Sequence, residues 1–423
     1  MTLSTEVDTG EVEDLESFRQ RARAFIRENL RHTGTLNYTL RNLRDDDEER
    51  AEVARDREIQ RMLFDAGLAG VCIPKEYGGQ GLTPAHQQLL NEELKGYEFP
   101  MRIQVPTMAP CASVLLDLGT EEQKLRHIPA ILKGEEIWMQ FLSEPSGGSD
   151  VAGAQTTAMR DGDEWVLNGS KVWTTGAWWS DWALCLARTN WDVPKHRGLS
   201  VFMLPIDQPG IEVQRIEMLN GNREFCQEFL TDVRVPDSDR VGDVDDGWTV
   251  MTRWMFHERM LFNSPLVTYP PGTARGNEDA VMMNVARDAG RVDDPIVRDL
   301  VGEARMLDVV GTHLHRRIGQ GVVSGTMPEQ SSAVARVYFG AAAVRRTTIA
   351  FEIAGAAGGA WVEEDGELAH GGTDFLMRQT ACIGGGTTEM ARNVVSERVL
   401  GMPRERTVDR DTPFRDVPRG PSG

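Results

Sequence analysis

The feature that most constrains this chain is a change of hydrophobic period that happens twice. In residues 12–135 apolar side chains recur at helical spacing, with Leu15, Phe18, Ala22, Phe25, Ile26 and Leu30 forming the first clear stripe. Residues 136–243 break into short runs at 165–167, 170–175, 182–188, 199–205, 211–218 and 226–235. Gly, Asn, Asp and Pro separate them, as in strands joined by tight turns. Helical spacing returns over 298–320, 329–355 and 387–400. Such a chain is expected to be α+β, with helical regions on either side of a compact antiparallel β unit. The expected boundaries are 1–135 for an N-terminal helical domain, 136–243 for the β domain and 244–405 for a C-terminal four-helix bundle. Residues 406–423 form a polar tail that wraps or frays.

Local signals refine this outline. Thr120-Glu121-Glu122-Gln123 is a capping box opening a helix that includes Ile128 and Leu132. Pro74-Lys75-Glu76-Tyr77-Gly78-Gly79-Gln80-Gly81 is a turn-rich connector. Asn168-Gly169 reads as a two-residue hairpin turn, after which Trp173 and Thr175 share a strand face.

Composition excludes several classes. With 423 residues, 40% hydrophobic and 26% charged, the chain suits a soluble globular protein of two or three packed units. No apolar run reaches membrane-spanning length, and the acidic N-terminus lacks a signal-peptide pattern. A net charge of −19 argues against non-specific nucleic-acid binding and an anionic membrane surface. It leaves room for an anionic ligand, which needs only a few local donors. The five cysteines, Cys72, Cys111, Cys185, Cys226 and Cys382, have neither zinc nor disulfide-framework spacing, which points to a reducing cytoplasm. His313 and His315 diverge on a helix and make a poor metal pair.

Two stretches carry chemistry. In Phe141-Leu142-Ser143-Glu144-Pro145-Ser146-Gly147-Gly148-Ser149-Asp150 a short strand runs into a Gly-rich turn, where backbone amides approach a ligand closely and hydroxyls donate. On its own such a stretch is more often a surface turn. The second lies after Asp245-Asp246-Gly247, acidic residues that suit a helix start. Met251, Trp254, Met255, Leu261 and Phe262 follow at i, i+3, i+4, i+10 and i+11, and Glu258 fills i+7. A carboxylate inside an apolar stripe is either half of a buried ion pair, with Arg259 or a facing arginine, or a group whose pKa burial raises. The second state suits a general base. His257 is expected to point off the stripe.

These motifs resemble the acyl-CoA dehydrogenase family over roughly residues 15–405. The first stretch is similar to T-E-P-x-A-G-S-D. Leu167-Asn168-Gly169-Ser170-Lys171-Val172-Trp173-Thr174-Thr175-Gly176 is similar to N-G-x-K-x-W-I-T/S-N-G, and Glu352-Ile353-Ala354-Gly355-Ala356-Ala357-Gly358-Gly359 to Q-I-x-G-G-x-G. Ile383-Gly384-Gly385-Gly386-Thr387-Thr388-Glu389 is similar to the C-terminal Tyr-Glu-Gly-Thr-x-Glu/Gln signature. The resemblance implies non-covalent FAD held by Gln140, Leu142, Ser143, Gly148, Ser149, Trp173 and Thr175. Arg287, Glu352, Gly355, Ala356, Thr387 and Glu389 would reach FAD from the C-terminal region, partly across a subunit boundary. Val285–Arg291 departs from the family's R-x-x-F-G-x-x-L by one position at Arg287, and 269–277 looks like extra loop.

The family's C-terminal base is Gly385 here, and glycine abstracts nothing. Isovaleryl- and long-chain-type members carry the base in a pattern like L-x-x-E-R, which Met255-Phe256-His257-Glu258-Arg259 matches with Met in place of Leu. The implied activity is FAD-dependent α,β-desaturation of an acyl-CoA in the cytoplasm. Glu258 is the base, Ser149, Arg259 and Gly385 contact substrate, and no metal is used. A homotetramer or dimer is implied, with electron-transfer flavoprotein as acceptor. Two alternatives remain: a non-catalytic scaffold subunit of a hetero-oligomeric dehydrogenase, or a flavin oxidase or monooxygenase on the same fold.

Overall fold

Short polar side chains set where the first helices start. The computed structural model describes residues 12–33, 45–261, 264–271, 278–360, 367–407 and 409–418. Helix α1 (Leu15–Asn29) begins at Asp14, whose carboxylate accepts from the Glu16 and Ser17 amides. Helix α2 (Asp46–Asp65) begins with an Asp45/Glu48 capping box, and α3 (Pro84–Glu93) follows the 74–81 connector. Phe18, Ala22 and Ile26 of the first stripe are buried with Ile59, Leu63 and Leu90, while Leu15 is exposed.

The next helical run is irregular. Helix α4 (Met101–Ile103) passes into a π-helical stretch, Gln104–Ala112, and then α5 (Ser113–Leu118). Pro106 and Pro110 lack the N–H that an α ladder needs. The Cys111 thiol donates to the Pro106 carbonyl, five residues back, at 3.4 Å. Helix α6 (Glu121–Leu132) opens with the expected box: Gln123 N donates to Thr120 Oγ1 at 3.2 Å, and Thr120 N to Gln123 Oε1 at 3.0 Å.

Eight strands make one sheet: β1 (Trp138–Phe141), β2 (Thr157–Asp161), β3 (Glu164–Thr175), β4 (Trp182–Arg188), β5 (Leu199–Pro205), β6 (Ile211–Arg215), β7 (Phe225–Pro236) and β8 (Arg240–Val241). Their order is β6-β7-β3-β2-β4-β5-β8, with β1 beside β4. Pairing is mainly antiparallel; β1 and β4 run parallel. Alternation along β4 splits the core. Leu184 and Leu186 join the cluster with Ile131 and Trp254, and Ala183, Cys185 and Ala187 join that with Trp165, Phe202 and Val233.

One local expectation is corrected. Asn168-Gly169 is no hairpin turn but lies inside β3, at a register shift against β7. The Asn168 side chain bridges to the next strand, donating to Asp232 Oδ1 at 3.0 Å and accepting from Asp232 N at 2.9 Å. Gly169 is there for close approach, since a Cβ would lie 2.5 Å from Thr156 Oγ1.

After the sheet come α7 (Gly247–Arg259), α8 (Glu278–Asp288), α9 (Pro295–Val323), α10 (Ser332–Ala354), α11 (Ala356–Gly359), α12 (Glu367–Met377) and α13 (Thr388–Val394). Phe262 and residues 272–277 of the supposed extra loop lie outside the described residues. Among the described residues, no helix is long and apolar enough to cross a membrane, and no His/Cys/Asp/Glu cluster has metal-binding geometry.

The tail wraps. Phe414 N donates to Val193 O and Arg415 N to Trp191 O, at 2.9 and 3.0 Å. The Phe414 ring stacks on Trp191 and lies 4.0 Å from the guanidinium of fully buried Arg188. Arg188 in turn donates to the carbonyls of Ala152, Ala154 and Lys195. Phe414→Ala uncovers this buried cation and should cost about 2 kcal/mol or more. Chemical denaturation checks it; an unchanged midpoint would show that the tail only rests on the surface.

Candidate functional site

The Gly-rich turn after β1 is held from beneath by a buried ion pair. Lys171 of β3 is fully buried, and its Nζ donates to Glu144 Oε1 at 2.8 Å, Leu186 O at 2.6 Å and Leu142 O at 3.3 Å. Glu144 also accepts from the Gln155 and Thr156 amides. Burial works against its charge, but Lys171 and these donors hold its pKa below the ordinary value. Ser143 O accepts from Val172 N at 2.9 Å, so the turn lies against β3.

Beside it, a second register shift between Val172 and Thr174 puts Trp173 at φ 67, a left-handed conformation that is costly for an indole-bearing residue. Trp173 stays 56% exposed, edge-on to Phe225. Thr175 lies on the same side, while Thr174 points inward. Gln140 Oε1 is buried without a hydrogen-bond partner among the described residues. A flat exposed ring, an orphaned acceptor and the open Gly147-Gly148-Ser149 turn fit a planar heterocycle with a polar edge and a phosphate-bearing arm. Gln140, Leu142, Ser143, Gly148, Ser149, Trp173 and Thr175 are thus brought together.

Glu258 lies on α7, against the π-helical stretch. Its charge helps push the buried Cys111 thiol pKa well up, after burial itself. Burial raises the Glu258 pKa above the ordinary 4.5, and Arg259 opposes this weakly. Among the described residues the half-buried Glu258 carboxylate has no hydrogen bond or ion pair, and Arg259 is exposed. The buried face of α7 is Val250, Met251, Trp254 and His257. His257 therefore does not point off the stripe: its Nε2 is 2.7 Å from Asp117 Oδ2 of α5, and Arg253 pairs with the same carboxylate. Burial opposes the Asp117 charge, yet His257 and Arg253 hold its pKa low. Asp117 docks α7 through Arg253 and His257, one turn apart, the second directly before Glu258. No sequence motif announces Asp117.

The remaining candidates lie on the C-terminal helices. Arg287, in the last turn of α8, donates to Asn284 at 2.7 Å. Arg291 instead caps α10, bonding the carbonyls of Glu352 and Ile353. Glu352 pairs with Arg345, and Gly355 ends α10 at φ 61, before Ala356. Thr387 caps α13 through Met390 N, and the exposed Glu389 pairs with Arg392. Arg336 clamps the intervening loop, donating to the carbonyls of Ala381, Gly384 and Gly386. Gly385 has φ 70 and open space where a Cβ would go, and its N–H makes no hydrogen bond among the described residues. No hydrogen bond or ion pair among the described residues joins these C-terminal candidates to Glu258 or the β-domain group.

Comparison with known proteins agrees with the fold. Family models match end to end: "Acyl-CoA dehydrogenase, N-terminal domain" over residues 12–135, "middle domain" over 140–233 and "C-terminal domain" over 245–400. Acyl-CoA dehydrogenase IpdE1 of Mycobacterium tuberculosis is 32% identical over 93% of this chain and 99% of its own length. Acyl-CoA dehydrogenase FadE34 of the same organism is 35% identical over 84% of this chain, which spans only 48% of that relative. A solved structure described as Tcur3481-Tcur3483 steroid ACAD is 28% identical, covering 92% of this chain and 98% of its own, with a TM-score of 0.71.

The strained Trp173 generates a test. Trp173→Gly relieves about 1 kcal/mol of backbone strain but removes the exposed ring. The apoprotein should unfold at the parental denaturant concentration or above, while FAD affinity falls about ten-fold or more. Parental FAD affinity would take Trp173 out of the cofactor site.

Proposed function

Because this chain belongs to the acyl-CoA dehydrogenase family of FAD-dependent oxidoreductases acting on acyl-CoA, we propose that it desaturates an acyl-CoA between Cα and Cβ with Glu258 as the base. The observation that carries this reading is the Glu258 carboxylate itself, half-buried, raised in pKa and without an ion-pair partner among the described residues. Keeping an unpaired carboxylate on a packed helix face is costly, so its presence there suits a group that acts on a ligand. One with a raised pKa and no partner is matched to taking a proton near neutral pH.

Bound FAD supplies the acceptor for the β-hydride. Leu142, Ser143, Ser149, Trp173 and Thr175 hold and screen it. The Gly385 N–H, without a hydrogen bond among the described residues and presented by the Arg336-clamped loop, suits donation to the thioester oxygen, which acidifies the α-proton. Glu258 takes that proton, and Asp117 fixes the helix that carries it. The loop needs only its backbone for this role, so the absent side chain at Gly385 is no obstacle. The steroid ACAD described above supports a bulky, ring-bearing acyl group as the first substrate to test. Electron-transfer flavoprotein is the proposed acceptor, and the Gly355-Ala356 segment is proposed to complete a neighbour's FAD site in a dimer or tetramer. A scaffold role beside a second, active chain is the alternative that Gly385 motivates.

Glu258→Gln separates these readings. The variant should bind acyl-CoA and perturb the flavin spectrum, while anaerobic flavin reduction slows by about 10²–10⁴-fold. In the parent, the acid limb of kcat/KM should lie above pH 4.5, because only ionised Glu258 accepts a proton and burial raises its pKa. Reduction at the parental rate in the Gln variant would return the chain to the scaffold reading. Oxygen uptake matching flavin turnover would instead indicate an oxidase.

Assembly is tested separately. Sedimentation of the FAD-loaded chain should give a dimer or tetramer, alone or with a second chain. A monomer with full flavin occupancy would contradict the shared site.

A further inference from the structure

Behind the proposed flavin face lies a second carboxylate that the mechanism does not use. Glu228 of β7 pairs in register with Lys171 of β3 and is fully buried. Its Oε2 accepts from Thr174 Oγ1 at 3.0 Å, and its Oε1 is buried with no donor among the described residues. Thr174 is the inward residue between Trp173 and Thr175, and its hydroxyl also lies 3.4 Å from the Gln140 carbonyl. Gln140 Oε1 and Thr156 Oγ1 are likewise buried without a hydrogen-bond partner among the described residues.

The surrounding charges do not neutralise Glu228. Lys171 acts on it electrostatically, but the three Lys171 protons already go to Glu144, Leu186 and Leu142. On β4, burial pushes the Cys185 thiol up to about 12, and on β7 it does the same for Cys226, so both are neutral neighbours. On β6, Arg215 is engaged by Asp46 and Glu49. Among the described residues Thr174 is the one side-chain donor to Glu228, beside its own backbone N–H. Burial then raises its pKa to about 7, against the opposing pull of Thr174 and Lys171.

We propose that Glu228 is a positioning residue of the flavin pocket, which holds the Val172–Thr174 bulge through Thr174 and takes up a proton when the bound cofactor is reduced. Reduction would add negative charge beside a carboxylate that no cation contacts among the described residues, and would so drive the carboxylate to its neutral form. The proton comes from water and ends on a Glu228 oxygen; no covalent bond to substrate or cofactor changes in this step. The neutral acid can then donate to an orphaned acceptor, which the carboxylate cannot.

The proposal rests on the flavin reading above, and the experiment keeps the two apart. The midpoint potential of bound FAD is measured in the parent and in Glu228→Gln, from about one pH unit below to one above the Glu228 pKa of about 7. The potentials should coincide at the acid end, where both side chains are neutral. Towards the alkaline end the parental potential should fall more steeply than that of the variant. Equal slopes in both proteins overturn the proposal; failure to release FAD on acid precipitation overturns the flavin reading instead. Should the variant not fold, the unmodified protein still decides. Its reduced-minus-oxidised infrared spectrum near pH 7 should gain a protonated-carboxyl band, and absence of that band overturns the proposal. In the apoprotein, the raised folded-state pKa means that the Glu228 contribution to stability is full below 4.5 and lost as pH rises through about 7. That loss should be missing in Glu228→Gln.

Discussion

Everything proposed for the cofactor face depends on one buried ion pair. Lys171 and Glu144 are both removed from water, and such a pair is tolerable only when every remaining proton and lone pair is satisfied. Here they are. The ammonium reaches Leu142 in the turn and Leu186 on β4, and the carboxylate collects the Gln155 and Thr156 amides. Removing either partner would strand a charge at a cost of roughly 3–5 kcal/mol, and the Gly-rich turn would lose its support. The pair therefore couples stability of the β domain to the shape of the surface presented to a ligand.

Above that anchor the chain places strain where contact with a ligand is proposed. Trp173 sits at φ 67 because the Val172–Thr174 shift in register turns its ring outward. Across the core, the irregular helix containing Pro106 and Pro110 gives α7 a wall that is not a regular α surface. Asp117 at its end grips His257 and Arg253. A helix gripped at residues 253 and 257 presents residue 258 in a fixed direction, which is what a base on this helix requires. The Arg336 clamp on the Gly384 and Gly386 carbonyls does the same for a loop that has only backbone left to offer.

Legibility in the sequence followed periodicity and local chemistry. The helical stripe around Phe18, the Thr120 capping box and the switch to strands near residue 136 depend on nearby residues, and they are seen as read. Asn168-Gly169 was misread because a turn signal and a close-approach signal use the same dipeptide. Only the neighbouring Thr156 and Asp232, distant in sequence, tell them apart. His257 was misplaced for a similar reason: a helical wheel shows an apolar stripe but not the Asp117 that widens it. Lys171 and Glu144 stood inside recognised motifs, yet their pairing joins residues 27 apart and no pattern predicts it. Glu228 stands at two-residue spacing between Cys226 and Leu230, on the covered face of β7, but an acid in a strand reads as solvent-facing until that face is seen packed.

The central claim is that the α-proton leaves to Glu258 rather than to a group near Gly385. A crystal structure of the FAD-loaded protein with a non-reacting acyl-CoA analogue tests it most directly. The account predicts the Glu258 carboxylate about 3–3.5 Å from the analogue's α-carbon, with the thioester oxygen on the Gly385 N–H. A Glu258 carboxylate turned away into an ion pair, with the α-carbon facing some other base, would contradict it.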